Sequence, residues 1–141
     1  MRHELQNLPI IAIFDLQKFT GLADKMKIIY STLLPVKGFR AINLFGIVFA
    51  RKDQPALDEH IINHESIHTR QMLELGVIGF YLWYVAEWII RWIQYKDRYQ
   101  GYRNIGFERE AHANDNDFSY LEKRRTFNFL GYLKNKISPR C

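Results

Sequence analysis

Residues 64–68, with the sequence HESIH, place two histidines four positions apart, with a glutamate directly after the first. On a helix, residues four apart lie one turn above each other on the same face, so both imidazoles can reach one metal ion. Imidazole nitrogens are common zinc ligands, and the carboxylate of Glu65 can reach a water molecule beside the metal. The spacing therefore predicts a zinc site in which His64 and His68 bind the ion and Glu65 acts as the general base.

The helix that carries this motif is predicted to begin after Asp58, which can cap it, and to end near Gly76. Its apolar residues recur at spacings of three and four, and both histidines lie on that apolar side. Two histidines and a carboxylate on the buried side of a helix are costly without partners. The ordinary alternative, a pair of hydrogen-bonded core histidines, is therefore the weaker interpretation.

A third protein ligand is needed, because two histidines do not complete a zinc site. No further histidine follows at the short HExxHxxGxxH spacing, but residues 107–114 read FEREAHAN. Here the chain resembles the gluzincin branch of zinc metallopeptidases, in which a glutamate on a later helix completes the site. The resemblance implies Glu108 or Glu110 as the ligand, and the FEREA phrase favours Glu108. Because residues two apart point about 200° apart on a helix, only one can bind, and the other is expected to be an exposed charge.

The resemblance extends beyond the HExxH motif. Residues 63–71, 83–88 and 102–111 are similar to the NHExIHxxQ, WYxxEW and YRNIxFEREA patterns of a family of short bacterial HExxH proteins. That family is associated with a zincin-like peptidase fold and has no established substrate. The resemblance therefore implies a zinc-dependent metallopeptidase or amide hydrolase and leaves the substrate open.

Two further features are implied by the likeness to gluzincins. Such sites use a tyrosine or histidine to stabilise the oxyanion of the tetrahedral intermediate, and Tyr99, Tyr102 and His112 are the candidates. The strand around residues 45–48 resembles the edge strand beside such sites, to which a peptide substrate can add as a further strand. Ordinary sheet core is the alternative interpretation of that strand.

The elements that must position these residues predict an α+β fold. Residues 27–34 and 39–50 are rich in β-branched and aromatic side chains, which predicts a short sheet or hairpin over about 27–50. Gly46 suggests a bulge or a close backbone approach in the second strand. The HExxH helix is followed by a hydrophobic helix from about Val77 to Tyr95. A third helix, starting near residue 103 or 104, carries the glutamates.

Length and composition favour one small zincin-like domain over 1–141. The chain has 141 residues and 48% hydrophobic residues, enough to form a core. The core is expected over about 26–125 and a basic tail over about 126–141, while the apolar run 8–14 is left open between strand and helix. The only cysteine, Cys141, is the last residue, so no disulfide forms within the chain and a reducing, cytoplasmic location fits.

The apolar stretch 76–93 raises the question of a membrane. Its longest charge-free run, 75–86, has 12 residues, whereas a spanning helix needs about 20. Glu87 and Arg91 then follow four positions apart and can pair. A buried core helix is the preferred interpretation, and an interfacial helix with the three tryptophans of the chain at headgroup depth is the alternative.

Charge and partners complete the prediction. The net charge is +5, but no basic stripe with interleaved aromatics and no nucleic-acid motif is evident, so nucleic acid is not expected as a partner. A peptide or protein substrate is expected, with peripheral membrane contact through 76–93 as an option. The alternative to an enzyme is a catalytically silent zincin-fold module for metal binding or membrane-associated interaction, because such a module keeps the same ligands.

Overall fold

A small mixed sheet followed by helices forms the part of the chain that the structure, a computed structural model, describes, which is residues 26–134. This confirms the predicted mixture of α and β elements. The elements are β1 (Lys27–Ser31), β2 (Ala41–Leu44), β3 (Ile47–Arg51), α1 (Glu59–Tyr95), α2 (Arg98–Arg103), α3 (Gly106–Asn114), α4 (Tyr120–Lys123) and a 3-10 helix (Asn128–Tyr132). The expectations for the apolar run 8–14 and for Cys141 lie outside the described residues.

The sheet has the order β1-β3-β2, with β1 parallel and β2 antiparallel to the central strand β3. The single strand predicted over 39–50 is instead two strands joined by a turn at Phe45 and Gly46. Both turn residues have positive φ, 55° and 79°, which is the type I′ geometry of two-residue hairpins and which suits glycine. Gly46 therefore marks a turn and not a bulge. The predicted edge strand at 45–48 is also wrong, because Ile47 and Val48 belong to the central strand and β2 forms the edge.

Helix α1 begins as predicted and is kinked where its first half was expected to end. The Asp58 side chain accepts a hydrogen bond from the Ile61 amide at 3.0 Å, which caps the helix. Gly76 has φ 68° and ψ 155°, a conformation open essentially to glycine alone. The kink separates the HExxH half of α1 from its hydrophobic half, as the predicted pair of helices required.

The hydrophobic half of α1 has an exposed outer face, so its prediction as a buried core helix is wrong for that face. By length and composition, α1 is the one helix in the described range that could cross a membrane, and only 11% of its most apolar 18-residue window is buried. Glu87 and Arg91, whose charges argued for a soluble core, are buried on the inner face. Arg91 donates to Glu87 at 3.1 Å and to the Leu133 carbonyl at 2.8 Å.

The C-terminal part of the described chain packs on the core, although the sequence predicted a tail from about residue 126. Phe129 of the 3-10 helix is buried against Phe107 of α3, with ring centroids 4.4 Å apart. The core cluster also includes Met72 and Phe80 from α1, together with Ile105. Residues up to 134 therefore hold α3 against α1, and α3 carries the glutamates of interest.

Candidate metal centre

His64, Glu65 and His68 lie on the buried side of the first half of α1, and α3 crosses this side. Phe107, in the first turn of α3, is fully buried in the core. Because successive helix residues are rotated by about 100°, burying Phe107 there turns Glu108 towards the two histidines. The structure thus brings together the three side chains that the sequence nominated as ligands.

Three ligand atoms converge at this point. His64 Nε2 and His68 Nε2 lie 3.1 Å apart. Glu108 Oε1 lies 3.3 Å from His68 Nε2, and the other carboxylate oxygen, Oε2, lies 3.5 Å from His64 Nε2. Two ligand atoms bonded at about 2.0–2.2 Å to a tetrahedral metal lie about 3.3–3.6 Å apart. The three residues could therefore hold one metal ion with little movement.

The electrostatics of the trio favour a cation. Glu108 Oε2 is buried and accepts no hydrogen bond from the described part of the chain, although His64 Nε2 lies 3.5 Å away. A buried oxygen in this position is costly unless a cation completes its surroundings. Burial raises the pKa of Glu108, but nearby His68 and His64 outweigh burial and hold this pKa well below its usual range. Burial lowers the pKa of His68, yet the Glu108 charge offsets it and raises this pKa to about 9. Glu108 is thus a carboxylate that draws positive charge to the site.

Gln71, one turn after His68, orients the second histidine. Its side-chain amide nitrogen donates to the Phe107 carbonyl at 3.2 Å and to Glu110 at 2.9 Å. Gln71 Oε1 is therefore the acceptor for His68 Nδ1, 2.8 Å away. With a proton held on Nδ1, loss of the second proton from Nε2 leaves a lone pair that a metal ion can take, as is usual for metal-binding histidines.

Glu110 is not the exposed helix charge that the sequence predicted for the glutamate outside the metal site. Its side chain is 0% exposed and binds Arg124, which is 1% exposed, at 2.6 Å. The Tyr120 hydroxyl also donates to Glu110 at 2.6 Å. On the other side of the same network, Arg124 pairs with Glu74. Glu110 therefore anchors the segment after α3 and supports Gln71, while Glu108 faces the histidines.

We expect Glu110→Ala to act on folding more than on the metal. The change leaves buried Arg124 without one of its two carboxylates, and breaking a buried ion pair costs about 3–5 kcal/mol of unfolding free energy. Urea unfolding of the metal-free variant measures this loss. Glu122→Ala, at an exposed position of α4, is the control and should change stability by less than about 0.5 kcal/mol. An unchanged stability with complete loss of metal would instead make Glu110 the ligand.

Two tyrosines approach the Glu108 side of the site. The Tyr84 hydroxyl donates to Glu108 Oε1 at 2.7 Å, which fixes that carboxylate. Tyr102 lines the cavity beside Glu65 and Glu108. Burial and the Glu108 charge raise the pKa of Tyr102 above its usual range, so its hydroxyl keeps its proton and can donate. Among the three predicted oxyanion candidates, Tyr102 is the one that reaches the cavity shared with Glu108.

The other two candidates line a second cavity, which shares Glu65 and Tyr102 with the first. Tyr99 is exposed there, and the His112 ring lies 4.5 Å from the His64 ring. Asp115 lies 3.9 Å from His64 Nδ1 and 3.7 Å from His112 Nδ1. Its negative charge favours a proton on His64 Nδ1, which leaves Nε2 to bind the metal.

Glu65 lies beside the trio without being part of it. Its side chain is buried, lines both cavities and faces the same open space as the histidines. Burial raises the pKa of Glu65 above its ordinary value. A carboxylate with a raised pKa is a stronger base, so this residue is suited to taking a proton from a molecule held in the cavities.

Sequence reasoning assigned no role to the supporting residues. Gln71 ends the NHExIHxxQ pattern and is polar on the buried side of α1, but neither signal says which group it contacts. Tyr84 stood in an apolar run that was interpreted as core. Asp115 lies seven residues after Glu108, on the turn that ends α3, and spacing alone does not bring it to His64.

The comparisons with known proteins return no match: no family model, no curated protein and no solved structure is similar to this chain at a significant level. The candidate function therefore depends on the site's own residues, which are two histidines and a glutamate that could hold a metal ion, with a second glutamate beside them.

Proposed function

We propose that this protein is a zinc-dependent hydrolase of amide bonds, with a zincin-like arrangement of its site. The observation that carries the proposal is the convergence of His64, His68 and Glu108 within 3.1–3.5 Å of one another, with Glu65 alongside. Three protein ligands and an open side are typical of catalytic zinc sites, whereas structural sites are closed by four.

Zinc fits the donor set better than magnesium or calcium, and the HExxH helix favours zinc over iron, which also binds two histidines and a carboxylate. Two imidazoles and one carboxylate match the His₂Glu set of known zinc hydrolases, while magnesium and calcium prefer oxygen ligands alone. The two orienting contacts, from Gln71 to His68 and from Tyr84 to Glu108, are of the kind that supports a metal site from outside.

The residues around the site can carry out hydrolysis. When bound, zinc supplies Lewis acidity, which polarises a carbonyl and makes water more acidic. Glu65 accepts a proton from the attacking water while the oxygen of that water bonds to the carbonyl carbon. It then delivers that proton to the amide nitrogen as the C–N bond breaks, so one water is consumed and an acid and an amine result. Tyr102 donates a hydrogen bond to the carbonyl oxygen while that oxygen carries negative charge.

Metal analysis and a peptide library test this proposal together. We expect the purified full chain to hold about one zinc ion and to hydrolyse members of a mixed peptide library only when loaded. Treatment with a chelator should remove both zinc and activity, and added zinc should restore both. A zinc-loaded protein that cleaves no library member would be a silent metal-binding module, contrary to the proposal.

We further propose that the protein works at a membrane surface, since the outer face of the second half of α1 is apolar throughout. Ile78, Leu82, Val85, Ile89 and Ile93 follow one another at spacings of three and four on this face, which we call the apolar stripe. Ile78 is 77% exposed and Leu82 is 69% exposed. A helix face that borders water ordinarily carries polar residues, and the stripe has none over about four turns.

A bilayer surface suits the stripe better than a full crossing. The opposite face of the same helix half contacts α2 and α3, and its Glu87 and Arg91 are paired inside the protein. Lys96 and Arg98 follow the stripe directly, where cations meet anionic headgroups. The stripe can therefore lie in the interface with the folded domain above it.

Vesicle binding tests the proposed location. We expect the double variant Leu82→Asp, Ile89→Asp to bind phosphatidylcholine–phosphatidylserine vesicles roughly 100-fold more weakly in a co-sedimentation assay. Each of the two apolar side chains should contribute about 1.5 kcal/mol or more of binding free energy when the bilayer buries it. Phe118→Asp is the matched control, since Phe118 is exposed beside His60 at the other end of α1. Equal vesicle binding by all three proteins would contradict the location. So would a dimer that the double variant abolishes, without any vesicle binding by the unaltered chain.

A further inference from the structure

Two cavities meet at the candidate site and differ in character. The first has a volume of about 270 Å³ and the second about 230 Å³. Both are lined by His64, Glu65 and Tyr102, so the two cavities adjoin at Glu65 and a bond held there borders both. The groups flanking a hydrolysed bond would therefore enter different surroundings.

The first cavity, which we call the apolar cavity, has walls of aliphatic and aromatic side chains. Away from the metal trio and Glu65, these are chiefly Pro35, Val36, Ile42, Leu44, Met72 and Phe80. A cavity of roughly 150 Å³ with such walls is already large enough for a benzene ring. The volume here leaves room for a leucine, methionine or phenylalanine side chain and for the amide next to it.

Apart from the groups at the candidate metal site and Tyr102, the polar groups in the apolar cavity have partners in the protein. The Asn43 side chain donates to the Glu65 carbonyl at 2.9 Å and to Thr69 at 2.7 Å, and it accepts from the Gly46 amide at 3.0 Å. The Tyr81 hydroxyl donates to the Asn43 carbonyl and accepts from a backbone amide. A charged or polar side chain entering here would lose water without gaining a partner, which is unfavourable.

The second cavity, which we call the polar cavity, is lined by ionisable groups. Arg40, Arg103, His112 and Asp115 surround it, and it is the more open of the two. The Arg103 guanidinium lies 3.0 Å from His112 Nε2, and Asp115 lies 3.7 Å from His112 Nδ1. The backbone and polar side chains of a bound peptide would therefore find hydrogen-bonding partners in this cavity.

Strand β2 connects the two cavities and sets a direction between them. It runs from Ala41, which lines both cavities, to Leu44, which lines the apolar cavity alone. Among the described residues, β2 pairs with no strand except β3. The Asn43 carbonyl accepts from the Tyr81 hydroxyl at 3.3 Å and keeps a second lone pair for an added strand. A peptide that continues the antiparallel pairing has its N-terminal part beside Leu44 and its C-terminal part beside Ala41.

We propose that the substrate is a peptide cleaved directly after a bulky apolar residue, whose side chain fills the apolar cavity. This inference rests on the proposed hydrolase function and adds the substrate class and its direction. Water adds to the carbonyl carbon of the apolar residue, the following C–N bond breaks, and the released nitrogen takes the proton. The apolar residue becomes the new C-terminus, and the residue after it leaves through the polar cavity.

Matched peptides test the preference and the direction with the zinc-loaded full chain. The peptides are identical except for phenylalanine, leucine, alanine or aspartate at one position, and mass spectrometry identifies the products. We expect the phenylalanine and leucine peptides to be cleaved after that residue, with kcat/KM at least about 10-fold above alanine and aspartate. Cleavage before the apolar residue, or equal rates for all four peptides, would overturn the inference while leaving the hydrolase intact.

A cavity variant sharpens the comparison. Leu44→Arg places a cation in the wall of the apolar cavity, so the preference for phenylalanine over aspartate should fall at least about 10-fold. Leu33→Arg is the matched control, because Leu33 is exposed and does not line either cavity. If Leu44→Arg keeps its preference for phenylalanine over aspartate and its normal zinc content, the apolar cavity does not bind the side chain that determines specificity.

A binding measurement keeps the inference testable when turnover is absent. Met72 lies in the apolar cavity, whereas Met26 lies against Ser66 outside it, so methionine methyl NMR reports the two places separately. In zinc-loaded Glu65→Gln protein, phenylalanine hydroxamate should shift the Met72 methyl signal and alanine hydroxamate should not. Binding of both compounds without any Met72 shift would overturn the inference. A Met72 shift in a protein that cleaves no peptide would overturn the proposed function alone.

Discussion

Replacing Glu108 by glutamine should remove zinc binding almost completely. The change keeps the size of the side chain and the contact with Tyr84, but it removes the charge that faces His64 and His68. Residues that only support a metal ligand cost about 10–100-fold in affinity when replaced, so a ligand itself should cost more than about 100-fold. Competition with a chromophoric chelator at neutral pH measures the zinc affinity.

The matched control for this prediction is Glu110→Gln, two residues along the same helix. Glu110 reaches the site only through Gln71, so its replacement should weaken zinc binding by at most about 100-fold. His64→Ala and His68→Ala should resemble Glu108→Gln. If both glutamate variants bind zinc as tightly as the unaltered chain, the third ligand lies elsewhere and the proposed site is wrong.

Glu65→Gln should have the opposite outcome: it should keep zinc and lose hydrolysis. Glu65 lies beside the trio and contributes no ligand atom to the metal group, so zinc affinity should stay within a few-fold. Glutamine cannot accept the proton of the attacking water, and general base catalysis typically contributes about 10²–10⁴-fold to the rate. We therefore expect kcat to fall by that factor, with the zinc content unchanged by metal analysis.

The test needs a substrate and a check of folding. Peptides selected from the library with the unaltered protein supply the substrate, and thermal unfolding with and without zinc compares the two proteins. Because the pKa of Glu65 is raised by burial, the neutral glutamine should not destabilise the fold. A Glu65→Gln protein that hydrolyses peptides at the original rate would show that another group takes the proton.

The candidate metal ligands His64, His68 and Glu108 could be proposed from the sequence because the signals for them are local. His64 and His68 are fixed by one helical turn, and the FEREA phrase offered only two glutamates. Glu108, and not Glu110, lies beside the two histidines for a reason that sequence could not supply. Phe107 enters the core, which turns Glu108 inward to the histidines and Glu110 to Arg124. The spacing predicted that Glu108 and Glu110 point to different sides of the helix, but not which of the two faces the histidines.

The exposed stripe and the hairpin show where sequence reasoning failed. Glu87 and Arg91 were taken to favour a buried core helix over a membrane helix, because a linear count of charges ignores the side of the helix on which they lie. Both in fact face the protein interior, where Glu87 also accepts from the Gly106 amide at 3.1 Å. Phe45 hid the hairpin turn, because an aromatic residue with positive φ is uncommon and its neighbours looked like continuous strand.

The Glu110 carboxylate joins two parts of the chain that are far apart in sequence. The carboxylate accepts hydrogen bonds from three residues on its C-terminal side, Arg124, Tyr120 and Asn128. It also accepts from Gln71, which contacts His68. An ion that steadies His68 therefore favours the arrangement in which residues 120–132 are docked. By thermodynamic reciprocity, docking of that segment must raise affinity for the ion by the same free energy. A partner that displaced residues 120–132 would thus lower the affinity of the candidate metal centre for its ion without touching the ligands.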